Sequence, residues 1–246
     1  MRKAQKGAEL RKLVEAEAKA IAQSLSIRSP DHPNTARAVS DIYPEVLLQS
    51  MRAIISSLEE KDPYTHGHSI RSSEYAVLLG KELGLTEKEI KELELATLFH
   101  DIGKIGIPDY VLTKPSRLTF TEFEIMKSHP VRSAKIIEKI TVMACLVPGI
   151  KHHHERWDGL GYPSGLKGEE IPLYGRIILV VDTYDAMTST RPYRLALEKN
   201  IAIQELIAHS GTQFDPKIVK AMVNVLRRKD PRADRVSKTT LTKKIA

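Results

Sequence analysis

With one cysteine, Cys145, this 246-residue chain can form no intrachain disulfide, which predicts a reducing compartment, the cytoplasm. Long apolar runs are also missing. The longest, Ile177 to Val181, falls far short of the roughly 20 residues that a membrane-spanning helix needs. The N-terminus is charged from Arg2 and lacks the apolar stretch of a secretion signal. Alternating apolar and polar strands, internal repeats and low-complexity tracts are absent, which argues against sheet, repeat and disordered architectures. Acidic residues are outnumbered, and the net charge is +7. That excess fits either an anionic ligand or a basic tail. From Arg227 onward, Arg227, Arg228, Lys229, Arg232, Arg235, Lys238, Lys243 and Lys244 outweigh Asp230 and Asp234. The tail therefore carries most of the charge, and no nucleic-acid polymer is expected as a partner.

What is present is helical pattern. Leu10, Leu13, Val14, Ile21 and Leu25 recur at helical spacing over residues 1–28. Ser29-Pro30-Asp31-His32-Pro33-Asn34 has strong turn chemistry and breaks that helix. A second helix is expected over 44–60, carrying Val46, Leu47, Met51, Ile54, Ile55 and Leu58. Asp62-Pro63 predicts the start of a third, and Leu83-Gly84 its end. Thr86-x-x-Glu89 and Thr119-x-x-Glu122 are capping boxes. The first opens a helix running to His100-Asp101. The second opens a helix expected to carry His129 and to be kinked or broken there by Pro130. Gly159 to Gly168 must be a loop. The run from Arg176 to Met187 fits a buried helix better than a lone strand, and Asp215-Pro216 starts another helix. The fold class is all-α. The expected division is an N-terminal helical extension over 1–43, one helical domain over 44–228 and a basic tail over 229–246.

Nine histidines is generous, and most fall in the central segment. His100-Asp101, with Lys104 three residues on, is the most informative group. A carboxylate has two oxygens and can bridge two cations. An imidazole supplies a neutral nitrogen. A lysine places a fixed positive charge where a phosphate would sit. Five further candidate ligands follow in order: His68, His129, His153, His154 and Asp182. Mixed nitrogen and oxygen donors are what hydrolytic divalent metals want. Two such ions about 3.5–4 Å apart can activate one hydroxide and hold both ends of a displacement at phosphorus. His153 and His154 are adjacent, so both reach one site only where their helix ends at it. His32, His66, His152 and His209 are read as surface or structural histidines, and Trp157 as a packing anchor.

These residues resemble the HD-GYP domain family. Asp62-Pro63-Tyr64-Thr65-His66-Gly67-His68-Ser69, His100-Asp101-Ile102-Gly103-Lys104-Ile105-Gly106-Ile107-Pro108 and His129-Pro130 match its motifs. So do His153-His154-Glu155-Arg156-Trp157-Asp158-Gly159-Leu160-Gly161-Tyr162-Pro163, the segment from Asp182 to Arg194, and Phe214-Asp215-Pro216. The resemblance covers roughly residues 44–228. It implies a compact HD-domain helical bundle and a metal-dependent phosphodiesterase. The implied substrate is the bacterial second messenger cyclic di-GMP, opened to pGpG and in some members on to GMP by a hydroxide bridging two metals. It implies two ions, iron or manganese. One is held by His68, His100, Asp101 and Asp182; the other by Asp101, His129, His153 and His154. Lys104 is expected to meet a phosphate oxygen, Arg191 and Arg194 to contact phosphates, and Tyr162 to line the pocket. Asp185 is expected either to orient Lys104 or the hydroxide, or to form a plain salt bridge.

Small departures mark the chain. Ser133 stands where the family usually has glycine, and Ser72 where an aliphatic residue is usual. Tyr64 stands where some relatives place a glutamate for a third metal, which favours two metals and pGpG as product. Two other readings compete: hydrolysis of another nucleotide, such as a different cyclic dinucleotide, and a non-catalytic module that senses the dinucleotide or docks a partner. The N-terminal helix leaves room for a homodimer or signalling partner.

Overall fold

A computed structural model describes residues 49–50, 52–59, 67–190 and 195–229. The chain divides into two units, 1–53 and 54–246. The second carries every candidate ligand. The helix expected over 1–28, the break at 29–34, Asp62-Pro63, Tyr64, Arg191, Arg194 and the tail beyond Lys229 lie outside the described residues.

Nine α-helices are described in full. They are α1 (His68–Glu82), α2 (Glu87–Phe99), α3 (Asp109–Leu112), α4 (Phe120–Met126), α5 (His129–Ile137), α6 (Val147–Lys151), α7 (Leu173–Thr188), α8 (Lys199–Ala208) and α9 (Pro216–Lys229). Residues 54–59 are also helical, and there is no strand among the described residues. Both capping boxes form. Thr86 accepts from the Glu89 amide while the Glu89 side chain accepts from Thr86, opening α2. Thr119 and Glu122 do the same for α4. Each box satisfies two amides that the first turn leaves unpaired.

The centre of the domain is α7. Ile177, Ile178, Val180, Val181 and Tyr184 are all buried, and α7 packs against α1, α2, α6, α8 and α9. A helix covered on all sides can be apolar all round. Each of these aliphatic side chains contributes about 1.5–3 kcal/mol by leaving water. Asp215 ties α9 to α7: one carboxylate oxygen accepts from the Lys217 amide and the other from Arg176 at 2.6 Å.

Two helix boundaries differ from expectation. The helix carrying His68 begins at His68 itself, after Gly67 in the left-handed region at φ 67°. His129 does not ride on the helix that Thr119 opens. That helix stops at Met126, and His129 is the first residue of α5 with Pro130 second. The expected break is there, at 127–128; proline in a first turn loses no helical hydrogen bond, so Pro130 also helps to start the next helix.

Candidate metal centre

The candidate ligands come from ends of elements and from one buried helix. His68 is the first residue of α1, His100 caps the C-terminus of α2, and Asp101 precedes a 3-10 turn, Ile102–Gly106. His129 begins α5. His153 and His154 lie in the turn after α6, two and three residues past Lys151. Asp182 lies within α7. Ring and carboxylate atoms gather into two groups, His68–His100–Asp101 and His129–His153–His154, each with donor atoms within 4.8 Å of one another.

Asp101 stands between the groups. Its Oδ1 lies 3.2 Å from His129 Nε2 and 4.0 Å from His153 Nε2. Its Oδ2 lies 3.4 Å from His100 Nε2 and 2.6 Å from Lys104 Nζ. Asp182 Oδ1 lies 3.2 Å from His68 Nε2.

The backbone sets how the rings face. His100 Nδ1 donates to the Thr97 carbonyl at 2.6 Å, His129 Nδ1 to Met126 at 2.8 Å, and His153 Nδ1 to Ile150 at 2.6 Å. A carbonyl only accepts, so Nδ1 carries the hydrogen and Nε2 turns its lone pair inward. His129 and His153 bring these nitrogens within 3.3 Å of each other, and His100 Nε2 is buried without a hydrogen-bond partner. Nitrogen lone pairs converging beside two carboxylates fit divalent cations. The residues present therefore suit the metals that the fold implies.

At three rings electrostatics point the same way, and at His68 a metal ion would have to displace a proton. Burial pushes the pKa of His100 and His153 down, and that of His154 to about 3, so these rings are neutral donors. Burial also opposes charge on Asp101, but His100, Lys104 and His129 outweigh it and hold the carboxyl well below its usual range. For His68, burial is outweighed by Asp182 and Asp185, which lift the ring to about 9.

Asp185 does not lie where it would orient Lys104. Its Oδ2 accepts from His68 Nδ1 at 2.7 Å, and Arg71 Nε donates to its Oδ1 at 2.7 Å. Lys104 instead pairs with Asp101. The i, i+3 spacing from Asp182 does place both carboxylates against one ring, from its two sides.

Tyr162 stacks on His154 with ring centroids 4.9 Å apart and planes 30° apart. Its amide donates to the His154 carbonyl at 3.2 Å. Gly161 makes that turn possible, because a Cβ there would lie 2.3 Å from the Arg156 nitrogen. Glu155, fully buried, accepts from the Ser164 amide at 2.7 Å and from His152 at 3.3 Å. His152 thus serves the loop. Trp157 lies beside the Arg176 guanidinium at 5.8 Å, and His209 faces Glu205 on the exposed side of α8. Sequence reasoning missed Glu155, Arg71 and Glu59. Glu59 accepts from the Gly67 and Ser69 amides at 2.7 and 2.9 Å, capping α1. Glu155 had a signal, being the residue after the histidine pair. Glu59, eight residues from Gly67, had none.

The model of the HD domain matches residues 51–218. A cyclic di-GMP phosphodiesterase of Thermotoga maritima is 38% identical over 185 residues, covering 74% of this chain and 50% of that protein. The 3'3'-cGAMP-specific phosphodiesterase 3 of Vibrio cholerae is 35% identical over 190 residues, covering 76% of this chain and 40% of that protein. The chain thus spans half or less of the length of these relatives. Among solved structures, a cyclic GMP-AMP phosphodiesterase of V. cholerae superposes with a TM-score of 0.58 at 24% identity, covering 74% of this chain and 49% of that one. With its His-Asp pair at the junction of two ligand groups and the helical frame of those relatives, the chain belongs to the HD domain family.

Proposed function

We propose that this domain is a metal-dependent phosphodiesterase that opens cyclic di-GMP to linear pGpG. The observation that carries the reading is Asp101, whose two oxygens face two separate groups of histidine nitrogens while Lys104 sits on one of them. Relatives named for cyclic di-GMP and the intact Gly161-Tyr162-Pro163 loop support the substrate. His68, His100, Asp101 and Asp182 would hold one ion, and Asp101, His129, His153 and His154 the other; iron or manganese suits this donor set. When bound, such ions polarise the phosphoryl group and activate water.

The remaining roles belong to the chain. Lys104 pairs with Asp101 Oδ2 and places a positive charge where a phosphate oxygen would gain negative charge. Asp185 holds the His68 ring in place, and Arg71 steadies Asp185. Tyr162 walls the pocket beside His154. Arg191 and Arg194 would contact phosphate. Residues 44–228 form the catalytic domain, and residues 1–43 and 229–246 are an extension and a tail available to a signalling partner or second copy. A cytoplasmic location fits the substrate.

The test is anaerobic purification, metal analysis and incubation with cyclic di-GMP followed by chromatography. Formation of pGpG with about two metal equivalents is the expected result. No turnover with both metals bound, together with tight dinucleotide binding, would replace this reading with a sensor module. Faster turnover of another cyclic dinucleotide would reassign the substrate.

A further inference from the structure

The helix α4 has two unlike faces. Ile125 and Met126 pack on the cluster of Ile107, Val111 and Leu112. Phe123 and Lys127, four residues apart and so on one face, point elsewhere. Phe123 is 43% exposed. Its ring meets Tyr162 edge to face at 6.4 Å. Lys127 Nζ lies 5.0 Å from the Phe123 ring centre and 5.8 Å from that of Tyr162. Tyr162 in turn stacks on His154. A lone exposed phenylalanine carries no message. This one ends a continuous line of rings that begins in the metal centre, with an ammonium group beside it.

We propose that Phe123 and Lys127 form a nucleobase subsite next to the metal centre, with a guanine stacked on Phe123 and its O6/N7 edge facing Lys127. The substrate class rests on the phosphodiesterase reading above. An exposed aromatic face is what a base stacks on, whatever its identity. The cation then sorts bases. Guanine presents two acceptors on its O6/N7 edge, whereas adenine presents the N6 amino donor beside N7. An ammonium has only hydrogens to offer, so it suits guanine and meets the adenine amino group donor to donor. Lys127 also contacts Glu124 Oε1 at 2.6 Å. That contact uses one of its three N–H groups; a base arriving on Phe123 takes the place of the ammonium over the ring and leaves it at the base edge.

The experiment measures equilibrium binding and turnover of cyclic di-GMP and cyclic di-AMP by the metal-loaded full chain and three variants. Phe123→Leu keeps apolar bulk without a π face, and should weaken cyclic di-GMP binding about tenfold. Phe123→Tyr should restore it. Lys127→Met should lower the preference for the guanine dinucleotide about tenfold. Melting temperature and metal content check that each variant is folded and loaded. Wild-type affinity in folded, loaded Phe123→Leu overturns the subsite, and an unchanged guanine preference in Lys127→Met overturns the edge contact. Phe123-dependent binding without hydrolysis keeps the subsite and removes the phosphodiesterase reading. Hydrolysis indifferent to Phe123 does the reverse, and a wild-type chain that binds no dinucleotide removes both.

Discussion

Replacing Gly103 by alanine should damage both stability and the metal centre. Gly103 lies in the 3-10 turn between Asp101 and Lys104, pressed against the start of α5. Its amide donates to the Ser133 hydroxyl at 2.8 Å. A Cβ there would lie 2.3 Å from the His129 carbonyl oxygen and 2.4 Å from the Ser133 nitrogen. Both neighbours are backbone, and both residues are buried, so no side chain can swing away. Ordinary contact, about 3.5 Å, requires the turn and α5 to part by roughly 1 Å. Overpacking of this kind costs about 1–3 kcal/mol. Losing the Ser133 hydrogen bond in a buried position adds about 1–3 kcal/mol. The combined loss is a large part of the roughly 5–15 kcal/mol that holds an ordinary domain. Asp101 Oδ1 and His129 Nε2, now 3.2 Å apart, would separate with the turn. Urea unfolding of metal-free wild type and Gly103→Ala should show a lower midpoint at unchanged slope, and metal analysis should show reduced occupancy. Ser133→Ala removes only the acceptor and should lose only the hydrogen-bond share. A Gly103→Ala protein with full metal content and a stability loss under about 1 kcal/mol would refute the packing argument.

Other substitutions separate holding metal from using it. Asp101→Ala should lose metal and hydrolysis together, and a competent Asp101→Ala enzyme would sink the two-metal reading. Lys104→Ala should keep its metal, measured by elemental analysis, and slow turnover about 10²–10³-fold, as loss of one donor to a developing oxyanion does. Asp185→Ala should weaken metal binding about 10–100-fold, because His68 loses the group that orients it; titration of the metal-free protein reads this directly.

Much of the frame was legible because its signals are local. Thr86 and Thr119 announce their helices three residues ahead through Glu89 and Glu122, and both capping boxes form. The apolar run of α7 could have been a strand, and its length decided for a helix. Pro130 marked the break but not which helix carries His129, because proline has two meanings, breaker within a helix and starter at its first turn. The motif order located the candidate ligands, but not what surrounds them. Asp185 meets His68 and Arg71 across more than 110 residues of chain, and Glu59 reaches the amides of α1 from another helix. Such pairings depend on tertiary packing, which no local pattern encodes. Phe123 and Lys127 carry no local signal, because only tertiary packing puts the ring of Tyr162 beside them.

The three carbonyls that aim His100, His129 and His153 belong to Thr97, Met126 and Ile150. A carbonyl is the same on every residue, so these positions can change side chain without misdirecting a ring. The histidines thereby carry their own mounting: wherever the chain turns in this way, the residue three places back supplies the bracket. His68 differs, since its bracket is the side chain of Asp185, itself clamped by Arg71. Drift across relatives should therefore be limited at the first three supports by packing alone, and concerted at the last. Transplanting the centre into another helical frame would demand the chain turns of these three histidines, but the chemistry of an entire trio for His68.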